Sequence, residues 1–84
     1  MSDLKPTVIK IDKIYIPQAL RQPIDAAKVE TLAESIAEVG QQVPIKVRQD
    51  KDRYVLVAGL HRLEACKALG ETTIITYLVQ ARKF

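Results

Sequence analysis

Val55-Leu56-Val57-Ala58-Gly59-Leu60-His61-Arg62-Leu63-Glu64-Ala65 decides how this chain folds. An apolar run ends at Gly59, and a helix-forming segment opens directly after it with His61 and Arg62. Glycine lets the backbone turn sharply and lets another group approach it closely. The first amides of a helix have no partner within the helix. Those amides and the helix dipole favour an anion, and Arg62 adds a planar, two-pronged donor for phosphate oxygens. Gly59 to Arg62 therefore reads as a phosphate cradle. Local chemistry alone gives equal weight to a plain strand-to-helix turn carrying two solvated basic residues.

Working back from this stretch, Tyr54 to Ala58 is a strand, apolar on both faces and so expected at the centre of a sheet. Gln49 to Arg53 is a turn. Val43 to Arg48 alternates, with Val43, Ile45 and Val47 inward and Lys46 and Arg48 outward, a half-buried strand. Working forward, a second helix is expected over 60–69, ending at Gly70, with Leu63, Cys66 and Leu69 on one face. A cysteine so placed is an inert, packed thiol rather than a nucleophile. Thr73 to Val79, β-branched and apolar, is the last strand.

The first half of the chain supplies the other elements. Val8 to Ile16 alternates, giving a short strand near 8–11, a turn at Asp12-Lys13 and an extended continuation to Pro17. Pro17 to Ile24 is a loop with two prolines, and it carries Arg21. Residues 25–39 form the clearest helix: Asp25 is a good N-cap and Gly40 suits the position past its end. Val29, Leu32, Ala33 and Ile36 give it one apolar face. Glu30, Glu34 and Glu38 repel one another at steps of four, each at about 0.2–0.5 kcal/mol, and read as a solvated face. These elements predict a single α/β (α+β) domain over 1–84, a small mixed sheet with two main helices, with 1–7 and 80–84 as loose ends. Leu32, Ile36, Ile45, Leu56, Leu63 and Leu69 are expected in the core.

Composition narrows the function. A chain of 84 residues buries only about two-thirds of its unfolded surface, so the core is thin. No apolar run approaches the roughly 20 residues of a membrane span, and Met1 to Pro6 has no apolar signal core, so a cytoplasmic protein is expected. One cysteine excludes an internal disulfide and a cysteine-based metal site, and one histidine argues against zinc. Charge is unevenly placed: Asp25, Glu30, Glu34 and Glu38 oppose only Lys28 in the first helix. From Gly40 onward eight basic residues face four acidic ones. A basic half points to polyanions. With Asp50 and Asp52 among them, Lys46, Arg48, Lys51 and Arg53 are more simply read as solubilising an exposed hairpin.

Gly59-Leu60-His61-Arg62-Leu63-Glu64-Ala65 resembles the Gly-x-x-Arg-x-x-Ala box of the ParB N-terminal domain and sulfiredoxin superfamily. It is preceded, in the family's order, by Ile16-Pro17 with Arg21, Leu32-Ala33-Glu34-Ser35-Ile36, Gly40 and Pro44-Ile45-Lys46-Val47-Arg48. The resemblance runs from about Ile9 to Val79. It implies a nucleotide-binding module of plasmid or chromosome partition or DNA regulation. In that reading Gly59, Leu60, His61 and Arg62 hold phosphates and Arg21 closes from its loop. CTP or ATP with magnesium is the implied cofactor. The implied partners are DNA, through a basic surface or a further domain, and a second copy of the chain, without a membrane.

Two departures qualify the resemblance. The Glu-Arg pair usual in ParB proteins is Leu60-His61 here, and Leu60 stands where sulfiredoxins carry their nucleophilic cysteine. The chain also stops soon after its last strand, where ParB proteins continue into further nucleotide ligands and a helix-turn-helix, so a fragment of a longer protein or a freestanding relative is expected. A sulfiredoxin-related phosphotransfer enzyme, kinase- or nuclease-like, and a non-catalytic interaction domain remain the alternatives. No catalytic residue and no metal ligand is assigned.

Overall fold

A computed structural model describes residues 5–21, 23–41 and 43–79. Strand β1 (Pro6–Lys10) leads through a 3-10 turn, Ile11–Lys13, into the two-residue β2 (Ile14–Tyr15). A second 3-10 turn, Gln18–Leu20, precedes helix α1 (Ala26–Val39). Strands β3 (Ile45–Asp50) and β4 (Arg53–Ala58) form a hairpin, followed by α2 (Leu60–Ala68) and β5 (Thr73–Val79). The sheet is mixed, in the order β1-β5-β3-β4-β2. β1 with β5 and β3 with β4 are antiparallel, and β3 with β5 and β2 with β4 are parallel.

The α+β architecture with two helices agrees with the expectation, and several details differ. β2 joins the sheet as a fifth strand, and β3, not β4, lies at its centre. The hairpin turn shrinks to Lys51-Asp52, because Lys51 takes a positive φ of 58° and lets both strands extend toward it. Val43 is outside β3 and half exposed. Pro44 has no N–H for a ladder, and the side chain of Gln41 occupies the place that an earlier start of β3 would take. Its amide donates to the Ile75 carbonyl at 2.8 Å, and the Ile75 N–H donates to its Oε1 at 2.8 Å. The expected loose end over 1–7 gives way to strand from Pro6, and its first four residues, like 80–84, lie outside the described residues.

The core lies on one face of the sheet. Ile9, Ile45, Val47, Leu56 and Ile74 from the strands meet Leu63 and Cys66 of α2, with Ile11 closing one side. Ile45, Leu56 and Leu63 are buried as expected, whereas Leu32, Ile36 and Leu69 are only half-buried. Helix α1 packs chiefly on α2, and none of its residues is fully buried. Its apolar stripe meets a narrow nine-residue helix rather than the broad sheet, so coverage stays partial. Thr76 is the buried polar residue of the described core, and its hydroxyl donates to the Thr7 carbonyl at 2.9 Å.

Candidate phosphate-binding site

The cradle begins where β4 ends. Gly59 caps α2 with φ 107°, a left-handed conformation that side-chain-bearing residues adopt at a cost. A β-carbon there would lie 2.6 Å from Cγ2 and 2.9 Å from Cβ of Ile45. The position thus requires glycine twice over, for its dihedral and for its closeness to β3. The Gly59 carbonyl accepts the first helical bond of α2 from the Leu63 N–H at 2.9 Å. The amides of Leu60, His61 and Arg62 precede that bond and have no partner inside the helix.

A cleft of about 290 Å³ opens at this turn, lined by Leu20, Val57, Ala58, Gly59, Leu60 and His61. Three of the expected site residues, Gly59, Leu60 and His61, are therefore brought together. Leu20, Val57 and Ala58 join them unforeseen, although Val57-Ala58 directly precedes the glycine and Leu20 directly precedes Arg21. The ring of His61 is half-buried, and its Nε2 accepts a hydrogen bond from the Asp25 N–H at 3.3 Å. Asp25 caps α1 in turn, its carboxylate accepting from the Lys28 N–H at 3.2 Å. The start of α1 is thereby tied to the start of α2.

The two arginines stand apart from this cleft. Arg62, half-buried, does not line it and pairs with no described carboxylate. Arg21 donates through Nε to the Ile16 carbonyl at 2.9 Å, and its guanidinium lies 5.6 Å from the Tyr15 ring centre. Its loop reaches the cleft through the neighbouring Leu20. Cys66 is buried, and desolvation, then the nearby Glu71 carboxylate, push its thiol up, with Arg62 acting in the opposite direction. A thiol so placed is poorly ionised and a weak nucleophile. Among the described residues no group of three or more His, Cys, Asp or Glu side chains could hold a metal ion, and no helix is long and apolar enough to cross a membrane.

Residues 3–83 match the model of the ParB N-terminal domain. The chain belongs to that family. Over 73 residues the ParB-type domain is 38% identical to the probable chromosome-partitioning protein ParB of Campylobacter jejuni, an overlap of 86% of this chain and 26% of that protein. Over 66 residues it is 38% identical to the chloroplastic/mitochondrial sulfiredoxin of Arabidopsis thaliana, covering 79% of this chain and 53% of that one. The crystal structure of Arabidopsis sulfiredoxin superposes with a TM-score of 0.84 at 32% identity, over 92% of this chain and 86% of that one. C-terminally truncated ParB from Caulobacter crescentus, complexed with CTP-gamma-S, superposes with a TM-score of 0.80 at 26% identity, over 94% of this chain and 46% of that one. The ParB-type domain spans about half, or less, of the curated relatives it matches.

Proposed function

We propose that this ParB-type domain binds the phosphate chain of a nucleoside triphosphate at the start of α2, as the nucleotide-holding part of a partition or DNA-regulating protein. The observation that carries the reading is Gly59. Its left-handed turn against Ile45 brings the backbone to the cleft with three helix-initial amides unpaired, an arrangement suited to phosphate oxygens. CTP is the first nucleotide to test, because a structural relative was solved with CTP-gamma-S, and ATP is the second. Magnesium would arrive with the phosphates, since it is commonly held by one or two carboxylates together with substrate oxygens and water.

The chain's own residues divide the work. Leu60, His61 and Arg62 offer amides, and the Arg62 guanidinium adds charge once its side chain swings toward the ligand. Arg21 closes over the cleft only after leaving the Ile16 carbonyl. Val57, Ala58 and Leu20 give the cleft an apolar side. A sulfiredoxin-like thiol step fits poorly, because Leu60 carries no thiol and Cys66 is buried nearly two helical turns further on.

The test is an NMR titration of the domain with CTP, ATP and ADP, each with magnesium. Amide shifts centred on Leu60 to Leu63 are expected. Arg62→Ala should weaken binding by about one to two decades, the loss of a charge-assisted pair of about 1.5–3 kcal/mol. Arg62→Lys should recover only part of it, because a point charge does not reproduce the fork. Equal affinity in wild type and Arg62→Ala would leave the cradle a simple turn and favour a non-catalytic interaction domain.

A further inference from the structure

The sheet has a second face. Successive strand residues point to opposite sides, so Ile45, Val47, Leu56 and Ile74 face the helices while Lys46, Arg48, Val55, Ile75 and Tyr77 face away. Every described helical residue that packs on the core, Ile36, Leu60, Leu63 and Cys66, does so from the first side. Register defines the other side. Tyr15 pairs with Val55, Val55 with Arg48, and Arg48 with Val79, giving one row across the sheet. Lys46 pairs with Tyr77 in the next row. Val55 is only 2% exposed and yet stands outside the core cluster.

We propose that this face binds single-stranded nucleic acid, with bases stacked at Tyr15 and Tyr77 and the phosphate backbone held by Lys46, Arg48 and Arg53. The guanidinium of Arg53 lies 4.2 Å from the centre of the Tyr15 ring, and Tyr15 as a residue is 39% exposed. A nucleobase continues such a pile equally on an aromatic ring or on a guanidinium plane. Tyr15 and Tyr77 are separated by three strand steps across the sheet, β2 to β4 to β3 to β5, and two residues along it, roughly 16 Å. They therefore address different bases of one extended strand. Lys46 and Arg48 lie on β3 between them.

Charge decides against the other occupant. Strand alternation puts Lys10, Lys46, Arg48 and Arg53 on this face with one strand carboxylate, Asp50, which Arg53 approaches at 3.6 Å, while Asp12 and Asp52, with Lys13, line the cleft beside Tyr15 and Arg53. A second copy docked about a two-fold axis would set these cations against themselves. Protein–protein contacts also deplete lysine at their centre. A polyanion meets neither objection, and stacking needs no base-specific donor, so the binding is sequence-tolerant. The surface meets the cradle at Arg21, whose guanidinium lies 5.6 Å from the Tyr15 ring centre, whereas Arg62 stands on α2 at the helix side of the sheet, so its variant tells the two sites apart.

The experiment is fluorescence anisotropy of labelled oligo(dT), labelled oligo(U) and a duplex of matched length, titrated with wild-type protein and variants whose folding is verified by thermal melting. Both single strands should bind, each more tightly than the duplex, and affinity should fall between about 50 and 200 mM salt. Tyr15→Leu and Tyr77→Leu keep an apolar cover and should each weaken binding about fivefold or more. Lys46→Ala with Arg48→Ala should lower the logarithmic salt slope by about 1.4, two phosphate contacts. Arg62→Ala should leave oligonucleotide affinity unchanged. Absence of binding at low salt, preference for the duplex, or unaltered affinity in the tyrosine variants would overturn the proposal. So would loss of binding in Arg62→Ala, which would place the strand at the cradle.

Discussion

His61, in the first turn of α2, accepts through Nε2 the main-chain N–H of Asp25, the residue that caps α1. An imidazole nitrogen that accepts such a bond cannot donate one at the same time. One side chain thus fixes how two helix N-termini meet. His61→Ala should lower stability by about 1 kcal/mol, a typical net hydrogen-bond contribution, with the shift read from urea unfolding curves. Asp25→Ala should cost about as much through loss of the cap itself. Asp25→Ala keeps the main-chain N–H that His61 accepts, so the two losses arise from different hydrogen bonds and the link between the helices survives the Asp25 variant.

Gly59 should tolerate no side chain. In Gly59→Ala the new β-carbon meets Ile45 at distances that force β3 or α2 to move, and the backbone stays in a left-handed region. A loss of about 2 kcal/mol or more is expected, strain and overpacking together. Gly70→Ala provides the comparison: φ is 78° there as well, but nothing lies within 4 Å. It should cost about 1 kcal/mol, from the dihedral alone. Equal melting temperatures for the two variants would show that the Ile45 contact carries no weight.

Leu56 and Leu32 should separate the core from the outer helix. Leu56 is 1% exposed in the middle of the core, and Leu56→Ala should cost about 2–5 kcal/mol. Leu32 is half-buried on α1, and Leu32→Ala should cost nearer 1 kcal/mol. Chemical denaturation distinguishes the pair readily.

Cys66 should behave as a packed apolar group in two assays. Alkylation by iodoacetamide should be slow in the folded domain and fast in urea. Stability should also depend on pH. The folded thiol is raised by desolvation and by Glu71, so the unfolded chain releases its proton first as pH climbs. Unfolding free energy contributed by this group is therefore complete below the ordinary thiol value of about 8.5, and it declines above that value toward the raised folded one. Cys66→Ala should remove this alkaline decline while lowering stability at neutral pH.

Much of the fold follows from local pattern. The apolar run stopped by Gly59 places β4 and α2, and Asp25 with Gly40 brackets α1 to within a residue. What pattern leaves out is tertiary. Alternation extends β3 back to Val43, but Pro44 has no N–H for a ladder and the distant Ile75 is satisfied by the Gln41 amide instead, so the strand begins later. Periodicity shows that α1 has an apolar face but not that a nine-residue helix is most of what it meets. At the cradle, Gly59, Leu60 and His61 share a cleft because they are adjacent in sequence. Arg21 takes its partners from its own loop, Ile16 and Tyr15, and residue type alone does not reveal that choice.

The indirect attachment of α1 divides the domain into layers of unequal permanence. A helix with no fully buried residue, resting mainly on another helix, is able to detach without opening the sheet. Its amides should exchange with solvent deuterium sooner than those of β3, where Ile45 and Val47 are sealed. The link from Asp25 to His61 makes that detachment sensitive to whatever engages the first turn of α2. A ligand held there in the presence of an intact link would slow exchange along the outer helix, and occupancy of the turn would become measurable from the helix's protection against exchange.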